Sequence, residues 1–167
     1  MFVELKKLKL DDAKTLMNLI KDKDVLYNMG APFTEENITI DFEKNFLKRE
    51  IEDNIKGDKI SLGIYFNGLL VGVIGSKKIK ENELEFGYWI GKNYWGKGIV
   101  SSAIKLFIKE AFEKFPKKKL TAIVYSINPA SIKVLEKNGF KKYKEKKTKH
   151  IVYGEEVIDL FYRLEKN

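Results

Sequence analysis

Between Phe86 and Phe115 the chain changes its periodicity once, and it does so across a run of glycines. Phe86-Gly87-Tyr88-Trp89-Ile90 is an apolar run that reads as a strand. After Gly98, apolar residues fall at Ile99, Val100, Ala103, Ile104, Phe107, Ile108, Ala111, Phe112 and Phe115, the three-four spacing of a helix with a broad buried face. Gly91-Lys92-Asn93-Tyr94-Trp95-Gly96-Lys97-Gly98 therefore joins a strand end to a helix start. The first N–H groups of a helix lack intrahelical partners and carry partial positive charge, which suits a phosphate. Glycines at 96 and 98 would let an anion approach the backbone, and Lys97 adds a cation beside them.

Spacing separates the phosphate-binding loops that could own this pattern. Gly91-x-x-x-x-Gly96-Lys97 follows a P-loop until Gly98 stands where a magnesium-binding Ser or Thr belongs. Gly96-x-Gly98-x-x-Ser101 misses the dinucleotide fingerprint at its last position, and too little chain follows for the repeated strand-helix units of that fold. An ordinary glycine-rich turn remains the plain alternative for these glycines taken alone.

The rest of the chain supplies the frame. Residues 2–8 read as a strand, followed by a helix capped by Asp11 or Asp12 and running to about Lys21. Gly30-Ala31-Pro32 breaks the pattern, and Thr34-Glu35-Glu36-Asn37 opens a second helical region to about Asp53. Lys59–Phe66 and Leu69–Ile79 are apolar runs split by Asn67-Gly68, a strong hairpin signal. A turn at Lys80-Glu81-Asn82 leads to the strand Glu83–Ile90, so residues 59–90 read as a three-stranded antiparallel meander. Pro116 and Lys117-Lys118-Lys119 stop the long helix, and Leu120–Tyr125 reads as a central strand. Asn128-Pro129 caps and starts another helix, with Ile132 and Leu135 inward and Gly139 at its end. Phe140–Lys149 and Val157–Leu164 close the chain as a strand pair turning near Tyr153-Gly154-Glu155. The lysines at 141, 142, 144, 146, 147 and 149 suit an exposed edge strand. The fold class is α/β (α+β mixed), with helices on both faces of a mixed sheet. At this length, residues 1–167 are expected to form a single domain.

Two segments together carry a family resemblance. Asn93-Tyr94-Trp95-Gly96-Lys97-Gly98 resembles the pyrophosphate-binding motif of the GNAT N-acetyltransferase superfamily, Gln/Arg-x-x-Gly-x-Gly/Ala, with Asn93 departing from the usual first residue. Asn128-Pro129-Ala130-Ser131, followed by Asn138-Gly139-Phe140, is similar to that superfamily's second signature. Gly87-Tyr88-Trp89-Ile90 with Tyr94-Trp95-Gly96-Lys97-Gly98 resembles the branch of ribosomal-protein N-terminal acetyltransferases. The resemblance spans essentially the whole chain. It implies a mostly antiparallel mixed sheet of about seven strands flanked by about four helices. It implies acetyl-CoA as the acetyl donor and a primary amine as acceptor, with a protein or peptide N-terminal α-amine ahead of a polyamine or other small amine.

The resemblance also implies the site. It places the pyrophosphate on the N–H groups of Gly96, Lys97, Gly98, Ile99, Val100 and Ser101, and the pantetheine beside the backbone of Tyr88, Trp89 and Ile90. It adds a contact from Asn128, whose plainer reading is a helix N-cap. Attack by an amine needs a base. Glu85, two residues before Gly87, is the candidate, with Glu83 on the same strand face in reserve. A strand carboxylate paired with lysine is the ordinary alternative. The departing thiolate needs a donor. The tyrosine common in the family is replaced by Leu135, and Ser131 is the substitute, unless it only bonds backbone in the first helical turn. Trp89 and Ile90 are expected to use their side chains as core. Tyr125 and Tyr143 rank below Ser131, and His150 is expected on the surface.

Composition narrows the alternatives. With no cysteine and one histidine, disulfide, thiolate and zinc-thiolate chemistry are excluded and a histidine metal site is disfavoured, so no metal is expected. No apolar run approaches the roughly 18–20 residues that span a bilayer, and the first residues lack a signal-peptide core, so a cytoplasmic protein is expected. Residues 1–91 carry 14 Lys and Arg against 16 Asp and Glu, whereas residues 92–167 carry 18 against 8. The basic half would steer a polyanion such as coenzyme A, and equally nucleic acid, but no nucleic-acid motif accompanies it. Solvated lysines are the plainer account. Three functions stay open: an acetyl-CoA-dependent N-acetyltransferase, a non-catalytic coenzyme A module, and a nucleic-acid binder. A homodimer is retained as a candidate assembly. Glu35, Glu36, Asp41 and Glu43 form an acidic region that could draw a polycationic acceptor or simply face solvent.

Overall fold

A two-residue turn sets the register of the sheet. Asn67 (φ 48°) and Gly68 (φ 84°) are both left-handed, the conformation whose twist matches a tight hairpin. They join β2 (Ser61–Phe66) to β3 (Leu69–Lys80), with Phe66 opposite Leu69. β3 then pairs antiparallel with β4 (Glu83–Ile90), completing the expected meander. β1 (Val3–Lys7) lies outside β2, and β5 (Lys119–Tyr125) lies parallel to β4. β7 (Glu156–Leu164) pairs antiparallel with β5, and β6 (Lys141–Lys149) borders β7. The sheet order is β1-β2-β3-β4-β5-β7-β6, mostly antiparallel with one parallel pair. The computed structural model describes residues 2–57, 59–80, 82–116 and 119–165, with 77–80 described by backbone alone. Glu81 of the expected turn, and Lys117 and Lys118 of the helix-stopping run, lie outside the described residues.

Helices cover both faces. On one, α1 (Ala13–Ile20), α2 (Lys23–Met29) and α3 (Ile40–Lys56) bury Leu16, Ile20, Leu26 and Leu47 against Leu70, Val73 and Trp89 of the sheet. On the other, α4 (Ile99–Lys114) and α5 (Pro129–Lys137) bury Ile104, Phe107 and Leu135 against Ile74, Leu84, Phe86 and Tyr162. Each such side chain contributes about 1.5–3 kcal/mol when fully buried. β4 supplies both cores, Leu84 and Phe86 to one and Trp89 to the other. It is therefore held from two sides, which makes it a rigid support for a site at its end.

Three local features differ from the sequence reading. α2 was not expected, yet its caps are well formed: the Asp22 carboxylate accepts from Asp24 N at 2.9 Å and Val25 N at 3.1 Å, and Gly30 ends it at φ 62°. With α2 the described residues hold five α-helices. Thr34-Glu35-Glu36-Asn37 forms only a short 3-10 turn, and α3 begins after Thr39, whose hydroxyl accepts from Phe42 N at 3.1 Å. Between the two lies Ile38, fully buried, so packing of that residue interrupts what reads as one helix. Asp12 precedes α1 as expected, but its carboxylate reaches back to Lys9 N at 2.8 Å. The lysines of β6 do occupy an exposed edge.

Candidate active site

β4 and β5 pair over only three positions, Glu83 with Lys119, Leu84 with Leu120 and Glu85 with Thr121. Beyond them β4 continues to Ile90 beside β3, and β5 continues to Tyr125 beside β7. The two strands separate and open a gap in the sheet. Gly91 N bonds Val71 O at 2.9 Å, so by strand alternation Trp89 turns its main-chain groups toward β3 and Tyr88 and Ile90 turn theirs toward the gap. The Ile90 carbonyl is taken by the Trp95 indole N–H at 2.9 Å. The Tyr88 main chain and the Ile90 N–H remain as the strand edge along the gap. The side chains of Trp89 and Ile90 are 8% and 6% exposed, core residues as expected.

The glycine loop lies at the end of β4. Gly96 and Gly98 both adopt left-handed φ, 72° and 73°. The helical ladder of α4 begins with Ser102 N to Gly98 O at 3.2 Å, which leaves the N–H groups of Ile99, Val100 and Ser101 outside it. Among the described residues, a Cβ built on Gly96 would meet nothing within 4 Å beyond its own chain neighbours, so space for an anion lies directly against that backbone. Lys97 is exposed, with its ammonium 5.7 Å above the Tyr94 ring. This cradle fits a pyrophosphate through main-chain donors. The side chains of its helix residues face elsewhere: Ile99 is core, and the Ser101 hydroxyl, 6% exposed, accepts from Asn138 Nδ2 at 3.1 Å.

Across the gap, the Tyr88 hydroxyl and the Ser131 hydroxyl lie 2.6 Å apart. Ser131 is held in the first turn of α5 by its N–H, which donates to Asn128 Oδ1 at 3.1 Å. The other end of that amide donates to Asn28 O at the close of α2, also at 3.1 Å. Asn128 is therefore an N-cap, as its plainer reading has it, and also a tie between α5 and α2. Loss of water around the half-buried Tyr88 phenol pushes it up to about 12, against a smaller lowering by the Ser131 hydrogen bond. Leu135, where the resembled family has a tyrosine, is 1% exposed and belongs to the core.

Glu85 stands on the opposite face of β4 from Tyr88, three residues away in strand alternation. It shares that face with Glu83 and with the cross-strand row Thr121 and Arg163. Tyr143 of β6 is near both carboxylates: burial raises its phenol, Glu83 and Glu85 raise it further, and Arg163 lowers it. Glu85 and Ser131 thus flank the gap from opposite faces of the sheet and do not meet. A group entering from one face and a thioester lying between the strands would bring a base and a hydroxyl donor to opposite sides of one reacting carbon.

Two expectations are corrected. His150 is not a surface residue: it is 1% exposed, stacked on Tyr27 at 4.6 Å. Its Nδ1 faces Val152 N at 3.3 Å and its Nε2 faces Tyr27 O at 3.0 Å, a pattern assigned as the Nε2–H tautomer. It locks the end of β6 to α2. Glu43 is 1% exposed, so it cannot serve with Glu35, Glu36 and Asp41 as an acidic surface. Its Oε2 has no hydrogen-bond partner among the described residues, and burial holds its carboxyl up to about 7. Among the described residues no group of three or more His, Cys, Asp or Glu is placed to hold a metal, and no helix is long and apolar enough to cross a membrane.

Residues 3–141 match the family model of the Acetyltransferase (GNAT) domain. An uncharacterized N-acetyltransferase, p20 of Bacillus licheniformis, is 28% identical over 130 residues, covering 76% of this chain and 72% of that one. RimL, the ribosomal L7/L12 alpha-N-protein acetyltransferase solved with coenzyme A, superimposes with a TM-score of 0.87 at 18% identity, over 97% of this chain and 93% of its own. The microcin C7 self-immunity acetyltransferase MccE, solved with acetyl-CoA and AMP, gives a TM-score of 0.85 at 22% identity, over 98% and 92%.

Proposed function

The chain belongs to the GNAT acetyltransferase family and takes its acetyl group from acetyl-CoA, and we propose that its acceptor is a protein or peptide N-terminal α-amine. The observation that carries the reading is the gap between β4 and β5, with the glycine cradle at its end and hydroxyl and carboxylate groups on its two faces. One sheet threads both halves of the chain, which supports reading residues 1–167 as one catalytic domain. We place it in the cytoplasm, where acetyl-CoA meets newly made amino termini.

In this reading the N–H groups from Gly96 to Ser101 hold the pyrophosphate, with Lys97 adding charge. The main-chain groups of Tyr88 that face the gap, and the Ile90 N–H, pair with the pantetheine as a further strand would. A main-chain N–H on this edge polarises the thioester carbonyl. Glu85 takes the proton of the attacking ammonium, directly or through water, and Glu83 is next in line. Ser131 offers its hydroxyl to the sulfur as the carbon–sulfur bond breaks. Asn128 acts by fixing Ser131, since both ends of its amide are committed.

An α-amine suits this machinery because its pKa, near 8, leaves a useful neutral fraction at physiological pH, whereas an alkyl ammonium near 10.4 asks more of the base. The likeness to RimL points the same way. Burial of Glu43 weakens the case for a polycation. A screen of acetyl-CoA-dependent thiol release against peptide amino termini, spermidine and other small amines tests the assignment. Peptides should give the highest kcat/KM. A preference for spermidine that is lost in Glu35→Gln/Glu36→Gln would move the acceptor class to polyamines.

A further inference from the structure

The bond between Tyr88 and Ser131 links residues 43 positions apart, one on the strand bordering the gap and one on the helix facing it. Neither hydroxyl is free to wander. The Tyr88 ring lies 6.2 Å from that of Phe86, and Ser131 is pinned through its N–H by Asn128, itself tied to Asn28. A hydroxyl has one proton to give and lone pairs to receive. A phenol raised to about 12 keeps its proton across the working pH range, so Tyr88 has a proton to donate. With Tyr88 donating to the Ser131 oxygen, the serine proton is left for a third group.

We propose that Tyr88 is a positioning residue for the leaving thiol: its hydroxyl donates to Ser131 Oγ, 2.6 Å away, and so turns the Ser131 proton toward the coenzyme A sulfur. The inference rests on the acetyl-transfer reading above. In the step concerned, the amine lone pair forms the nitrogen–carbon bond and the carbon–sulfur pair departs to sulfur. The amine's surplus proton passes to Glu85 or water, and the thiolate is later protonated from water. Ser131 and Tyr88 keep their own protons throughout and act as paired hydrogen-bond donors. The polarised pair spreads the thiolate's charge better than Ser131 alone. This assigns the role of the tyrosine missing at Leu135 to a serine supported by a tyrosine from the strand opposite.

The test is the thiol pKa of bound coenzyme A, followed by thiolate absorbance in the ultraviolet on the full chain, alongside kcat and KM for acetyl-CoA. Tyr88→Phe keeps the ring and removes the hydroxyl. It should raise the bound thiol pKa by about one unit and lower kcat about tenfold, with KM changed less than about twofold. Ser131→Ala should do the same, and adding Tyr88→Phe to it should change nothing further. Ser131→Thr, which retains a hydroxyl, should keep the wild-type thiol pKa. A bound thiol pKa indifferent to Tyr88→Phe, or an effect undiminished on the Ser131→Ala background, would overturn the inference while leaving acetyl transfer standing. Failure of the wild-type chain to bind coenzyme A would instead strike the acetyl-transfer reading itself.

Discussion

The side-chain amide of Asn128 donates to the main-chain carbonyl of Asn28, 100 residues earlier, at 3.1 Å. Through it the end of α2 is bound to the start of α5, and the same amide's oxygen holds Ser131 N. The site is thus tied together by a residue whose ordinary duty is to cap a helix.

Two substitutions separate these duties. Asn128→Asp keeps the capping oxygen and loses the donor to Asn28. Asn128→Ala loses both. Ala should cost about 1–2 kcal/mol in urea unfolding, in the range of a lost N-cap, and Asp clearly less. Equal losses would show that the tie to Asn28 dominates.

Gly96 gives a cleaner test of the cradle than Gly98. Its left-handed φ makes alanine costly by about 1 kcal/mol, yet among the described residues a Cβ there meets no atom within 4 Å beyond its own chain neighbours. Gly96→Ala should therefore fold with a slightly lower Tm and lose on the order of tenfold or more in coenzyme A affinity by calorimetry. Unchanged affinity would remove the main-chain cradle from the account.

Glu43 predicts an unusual dependence of stability on pH. Burial raises its folded pKa from 4.5 to about 7, so the protonated form is the one the fold favours. Its favourable contribution is full below pH 4.5 and is lost as pH rises through 7. Glu43→Gln should be more stable than wild type at pH 8, on the order of 2 kcal/mol, and no more stable than wild type near pH 4. Denaturant midpoints across this range check it, and a difference independent of pH would assign the effect to packing.

Much of this architecture is legible in the residues themselves. Asn67-Gly68 marks the hairpin, Asn128-Pro129 the start of α5, and the lysines of 141–149 the edge strand, because each depends on local chemistry. The caps of α2 were equally local, with Asp22 before it and Gly30 after it, but a seven-residue helix offers too little periodicity to see. Ile38, Glu43 and His150 could not be placed, since their burial depends on what packs over them. The same holds for Tyr88 and Ser131: alternation along β4 says which face Tyr88 takes, but only the assembled sheet brings it to α5.

Glu85 stands on the face opposite Ser131, where a base must be if the amine enters there. Glu85→Gln should bind coenzyme A as wild type and lower kcat about a hundredfold at neutral pH. Full activity between about pH 6 and pH 9 would pass the role to Glu83.

The most direct measurement uses one peptide with a free α-amine and an internal lysine, incubated with acetyl-CoA and the protein and read by tandem mass spectrometry. The account predicts a single acetyl group on the α-nitrogen, formed with one equivalent of free coenzyme A. Acetylation of the lysine side chain alone, or no acetylation while spermidine is turned over, would contradict it.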